Sequence, residues 1–154
     1  MRRFCAEGWV LDYDRDATAA AYRLVREDPG LSCGCAPCLN WSRTRDRLLP
    51  TRFRTILDEF GVAHDREAEL YHTVRTEAGH LCGGWYHLVG HLIAVPQAAP
   101  ATISIDAFHI SFSRRNDLVA APLQGHPLVQ LDFHCTVPWL SDVPEPAIDF
   151  WSGR

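Results

Sequence analysis

Leu128-Val129-Gln130-Leu131-Asp132-Phe133-His134-Cys135-Thr136-Val137 alternates apolar and polar side chains along its length. Period two is the spacing of a strand with one buried face. Val129, Leu131, Phe133 and Cys135 form the apolar face; Gln130, Asp132 and His134 form the other. A face this apolar needs a cover. The best cover in the chain is Phe53, Ile56, Leu57 and Phe60, which repeat at i, i+3, i+4 and i+7 after Pro50 and stop at Gly61. The spacing predicts an amphipathic helix whose stripe packs on Leu131, Phe133 and Cys135.

Working outward, period two also marks Glu69–Thr76, Trp85–Val95 and Ile103–Ser113 as strands. The last changes phase at Asp106-Ala107, which predicts a bulge there. Glu77-Ala78-Gly79-His80-Leu81-Cys82-Gly83-Gly84 reads as a glycine-rich hairpin loop between the first two. Towards the N-terminus, Gly8–Tyr13 reads as a short strand. Asp14 to Asp16 then offer N-caps for a helix over Ala17–Arg26, with Asp28-Pro29-Gly30 ending it. Asn40 is a candidate N-cap for a helix over Trp41–Leu48. Helices early and antiparallel strands late give an α+β fold, with N-terminal helices packed on one face of a β-meander of four to five strands. A single domain over 1–154 is expected: a helical half at about 14–61, a sheet at about 67–138 and a Pro-rich tail at 139–154.

Of the six cysteines, three fall in Cys33-Gly34-Cys35-Ala36-Pro37-Cys38. Gly permits left-handed backbone and Pro sets φ, so this segment can curl and gather three thiols. Three sulfurs in one loop are most of a tetrahedral zinc site. The same spacing suits a dithiol redox pair, or three reduced thiols that shape a tight loop. A closed zinc site needs a fourth donor. Cys82 is the first candidate and His80 the second, because the 77–84 loop has glycines that allow close approach.

A second constellation follows from alternation. If the strands are neighbours, His87, His91, His109, Asp132 and His134 share the sheet face opposite the core. Imidazole and carboxylate there suit a metal or general acid–base catalysis; a solvated face suits the same residues. His72 reads as half-buried, and Cys135 as an inert core thiol.

Net charge is −4, and all fifteen basic residues are arginine. This charge gives no electrostatic pull towards nucleic acid or an anionic membrane. The arginines at 43, 45, 47, 52 and 54 read as a solvated helix face. No apolar run approaches the roughly 20 residues of a membrane span. Met1-Arg2-Arg3-Phe4-Cys5-Ala6-Glu7-Gly8 lacks the apolar core of a signal peptide, so a cytoplasmic location is expected. The chain contains no P-loop, no G-x-G-x-x-G, no H-E-x-x-H and no G-x-S-x-G.

Cys33 to Trp41, the helix end Glu59-Phe60-Gly61-Val62, Gly83-Gly84-Trp85-Tyr86-His87-Leu88-Val89-Gly90 and Val137-Pro138-Trp139 together resemble a group of small bacterial proteins with no assigned activity. That group carries C-x-C-x2-C-x-N-aromatic, a G-G-W-aromatic strand and a late P-W. The resemblance implies one domain and a bacterial cytosolic origin, and transfers no catalytic residue. Three functions remain open from the sequence. The first is a binding or regulatory protein stabilised by a cysteine-held zinc, with a protein or small-molecule partner. The second is a small metalloenzyme using the histidine-bearing face. The third is a toxin-neutralising or other partner-binding protein without metal.

Overall fold

A computed structural model describes residues 1–146. The order of elements is β1 (Arg2–Ala6), β2 (Trp9–Tyr13), α1 (Arg15–Tyr22), α2 (Pro29–Cys33), α3 (Ala36–Leu48), α4 (Thr51–Phe60), β3 (Glu69–Thr76), β4 (Gly79–Ala94), β5 (Ile103–Ile105), β6 (Phe108–Ser113), a 3-10 turn at Ala121–Leu123, and β7 (Leu128–Val137). Among the described residues the fold is α+β, with four helices and a seven-stranded antiparallel sheet.

The sheet is not the expected meander of four to five strands. Its order is β1-β2-β4-β7-β6-β5, and β3 pairs with β4 as well. The sixteen-residue β4 is long enough to hold two partners on one side. Gly79–Trp85 pairs with β3 and Gly90–Ala94 with β2, while β7 runs along the other side and separates β4 from β6. Arg2–Ala6 is an additional edge strand. It turns through Glu7-Gly8, both at positive φ, which matches the twist of a tight hairpin. Asp106-Ala107 is a hairpin turn between β5 and β6 rather than a bulge.

The gap between β2 and β3 along β4 is filled by α1. Asp14 caps this helix by accepting from Ala17 N at 2.9 Å. The Asp14 N–H donates to Val89 O at 2.8 Å, and Thr18 Oγ1 accepts from Val89 N at 3.0 Å. The Tyr22 hydroxyl serves the His87 backbone. A buried edge strand with unpaired amides is costly, and one helix removes that cost here.

Alternation in β7 divides the side chains as its pattern predicts. Val129, Leu131, Phe133, Cys135 and Val137 are buried opposite Leu88, Tyr86, Gly84, Cys82 and His80 of β4. The α4 stripe covers this face: Phe53 meets Phe133 at 6.0 Å and Phe108 at 5.6 Å between ring centroids, and Phe60 meets Tyr13 at 4.9 Å. Trp41 of α3 stacks on Phe133 at 5.4 Å. Gly83 and Gly84 are strand residues, not turn residues. A Cβ on Gly83 would lie 2.3 Å from the Tyr71 hydroxyl oxygen, and one on Gly84 would lie 2.9 Å from the Phe133 ring. Glycine is required there because aromatic rings pass directly over the backbone.

Three helix boundaries differ from expectation. α1 ends at Tyr22. Asp28 begins a helix as well as ending the preceding segment, because its carboxylate accepts from Gly30 N and Leu31 N and Pro29 fills the first helical position. α3 starts at Ala36, five residues before Trp41, so Asn40 lies inside the helix. Its side chain holds the segment after β7 instead: Nδ2 donates to Pro138 O, and Oδ1 accepts from Leu140 N and Ser141 N. The first part of the expected tail is therefore pinned by polar bonds. Residues 147–154, which include the remainder of that tail, lie outside the described residues.

Candidate metal centre

Cys33 is the last residue of α2, Gly34 follows in the left-handed conformation with φ of 69°, and Cys35 is the N-cap of α3. Cys38 lies in the first turn of α3 rather than ahead of it. Two short elements thus end and begin around one point. The three sulfurs lie within 4.8 Å of one another. A tetrahedral zinc with Zn–S of 2.3 Å sets its sulfurs about 3.8 Å apart, so the trio closes on an ion by moving about an ångström. Among the described residues, this is the only group of three or more potential ligands gathered so closely.

The supports of this corner are buried and charged. Arg45 donates to Glu67 Oε2 at 2.9 Å and to Oε1 at 3.2 Å, and it also pairs with Asp28. Trp41 Nε1 donates to Glu67 Oε1 at 2.7 Å. Ser42 Oγ donates to Asp28 Oδ1 at 3.1 Å. Asp28 therefore caps α2 and anchors it on α3 with the same carboxylate. Gly30 permits the contact: a Cβ there would lie 1.8 Å from Ser42 Oγ and 2.9 Å from Cys38 O. Burial raises the pKa of Glu67, against the pull of Arg45. For Asp28, burial acts upward but the Arg45 bond wins, and its pKa is lowered.

The thiols differ in character. Cys33 is exposed, and hydrogen bonds from the Cys35 backbone and thiol lower its pKa. Cys38 is buried, and desolvation raises its pKa. An exposed sulfur beside a half-exposed and a buried one leaves the outer side of the trio open.

Neither expected fourth donor, Cys82 or His80, belongs to the cluster. The hairpin turn lies at Glu77-Ala78, so His80 and Cys82 belong to β4 and face the core, not a flexible tip. Cys82 is buried opposite Cys135 as a free thiol, its pKa pushed up to about 12 by desolvation. His80 Nδ1 pairs with His72 Nε2 at 2.8 Å, and its Nε2 with Glu145 Oε1 at 2.8 Å.

His87, His109, Asp132 and His134 do share the sheet face opposite the core, but spread over three rungs, with only His109 and His134 on the same one. His87 faces Gln130, Asp132 lies between Trp85 and Ser111, and His134 lies between Gly83 and His109. The His109 and His134 rings stack at 4.9 Å. Asp132 accepts from Gln130 Nε2 at 2.7 Å and from Ser113 Oγ at 3.1 Å. His91 lies beyond the end of β7, opposite Asp12 of β2. These five residues form no three-ligand cluster. Sequence reasoning missed Glu67 and misread three others: Asp28 as only a helix end, Asn40 as an N-cap, and Arg45 as part of a solvated helix face, whereas Arg45 is buried. The signal for Asp28 was present, since Asp before Pro is a helix-start pattern as much as a stop.

No helix among the described residues is long and apolar enough to cross a membrane. Compared with protein-family models, with curated proteins and with solved structures, the chain matches none of them.

Proposed function

We propose that the protein is a binding or regulatory module in which Cys33, Cys35 and Cys38 hold one zinc ion, with the fourth position taken by water or by a donor from a partner. The observation that supports this reading is the approach of three sulfurs to within 4.8 Å at a corner braced by the Asp28–Arg45–Glu67 cluster. Thiolate sulfur favours zinc over hard cations, and an open position separates this site from a closed structural one. The ion ties the end of α2 to the start of α3, so its binding stabilises the fold at that corner.

The test is elemental analysis of protein purified without chelator and without a nickel column. One zinc per chain is expected, falling to near zero in Cys35→Ser. Parent protein free of metal after refolding with excess zinc would overturn the reading. The trio would then be reduced thiols shaping a turn, and a partner-binding protein without metal would stand in its place.

A further inference from the structure

A second site lies away from the cysteines. A cavity of about 620 Å³ opens between the end of α1, the 66–68 segment and the 118–123 segment. That volume falls within the roughly 300–1,000 Å³ of small-molecule sites. Its walls are mainly apolar, among them Leu24, Val25, Leu118, Ala121, Pro122 and Leu123. Leu24 and Leu118 are 64% and 62% exposed, a costly placement for leucine that a bound apolar body would relieve.

His87 also lines the cavity, is 0% exposed, and has no hydrogen-bond partner at either ring nitrogen. Gln130, directly opposite, acts on the ring and pulls its pKa up against desolvation, but its well-formed hydrogen bonds go to other groups. The Tyr22 hydroxyl is taken by the His87 backbone. Gln130 accepts from Asp117 N and donates to Asp132. An imidazole buried without a well-formed hydrogen bond is disfavoured, and a ligand that supplies one removes the penalty. The charges beside the cavity cancel locally: Arg66 pairs with Asp65, Glu67 with Arg45, and Arg26 stands next to Glu27. Nothing there selects a charged ligand. Desolvation also lowers the His87 pKa, so the ring is a neutral donor and acceptor.

We propose that this cavity binds a small neutral amphipathic molecule, an apolar body carrying a hydroxyl group that displaces the wall over the buried His87 ring and hydrogen-bonds its imidazole. This site is independent of the zinc reading, since no cysteine lines it.

The test uses 4-pentylphenol, pentylbenzene and 4-pentylbenzoate, with binding read by calorimetry and His87 by nitrogen-15 NMR. The phenol is expected to bind the parent about tenfold more tightly than the hydrocarbon, the worth of one hydrogen bond, and to shift the His87 ring resonances. In His87→Leu the preference should vanish while the hydrocarbon still binds. Ala120→Trp, which fills the cavity from its wall, should abolish both. Thermal unfolding of each variant distinguishes lost binding from lost folding. Absence of binding to the folded parent, equal affinity for phenol and hydrocarbon, preference for the benzoate, or a preference that survives in folded His87→Leu would each overturn the proposal.

Discussion

The Tyr22 hydroxyl donates to the His87 carbonyl at 3.0 Å and accepts from the His87 N–H at 3.2 Å. One helical side chain thus makes both bonds that a neighbouring strand would make to that residue. This is why β2 and β3 can share one side of β4 without leaving buried amides between them.

Tyr22→Phe should therefore destabilise the fold by about 2–4 kcal/mol, because a buried N–H and a buried carbonyl lose their partner together. Urea unfolding gives the magnitude, and hydrogen exchange at the His87 amide should quicken locally. A loss below about 0.5 kcal/mol would mean that water enters and takes over both bonds.

Phe133→Ala should cost about 3–5 kcal/mol. Its ring is 1% exposed and meets Trp41, Phe53, Tyr86 and Phe108, so the gap cannot close from one side. Equilibrium unfolding checks it. A cost under about 1 kcal/mol would contradict the assignment of this face as the core.

Cys82→Ser should leave zinc content unchanged while lowering stability modestly, because Cys82 packs in the sheet beside Cys135. Cys35→Ser should lose the zinc proposed for the trio and, with it, the stability that the ion lends the corner. Zinc loss in Cys82→Ser would restore Cys82 as a ligand and require β4 to move.

Arg45→Met leaves the Glu67 carboxylate buried without its cation. A loss of about 3–5 kcal/mol at pH 7 is expected. Burial already raises the Glu67 pKa, and removing Arg45 raises it further. A carboxyl whose folded pKa is raised contributes stability below its unfolded value and loses it as pH rises through its folded value. The variant should therefore recover part of its stability between pH 7 and pH 5. Asp28 behaves oppositely in the parent: its lowered pKa means that its contribution is lost on acidification through that lowered value. Chemical unfolding at several pH values reads both. A variant equally destabilised at pH 5 and pH 7 would show that Glu67 is not the group left uncompensated.

Elements whose signal is a short repeat were legible from the chain alone. The alternation of Leu128–Val137, the stripe at Phe53, Ile56, Leu57 and Phe60, and the stop at Gly61 each depend on neighbours within a few residues, and the structure reproduces them. Glycine misled at Gly83 and Gly84, where it answers the rings of Tyr71 and Phe133, partners 12 and 49 residues away. The hairpin loop was therefore expected to run on to Gly84 with His80 and Cys82 in it, whereas the turn closes at Glu77-Ala78 and both residues lie in β4.

The sequence by itself determined which residues form the core strand, which helix covers it, and that three thiols lie within six residues. Backbone periodicity and chain connectivity require no distant contact to act. Tertiary structure alone decided the strand order, the insertion of β7 beside β4, the closing of the sheet gap by Tyr22, and the burial of His87 beside a cavity. Each depends on which edges meet once the apolar faces are covered. That outcome belongs to the summed packing of many distant residues, and no local pattern encodes it.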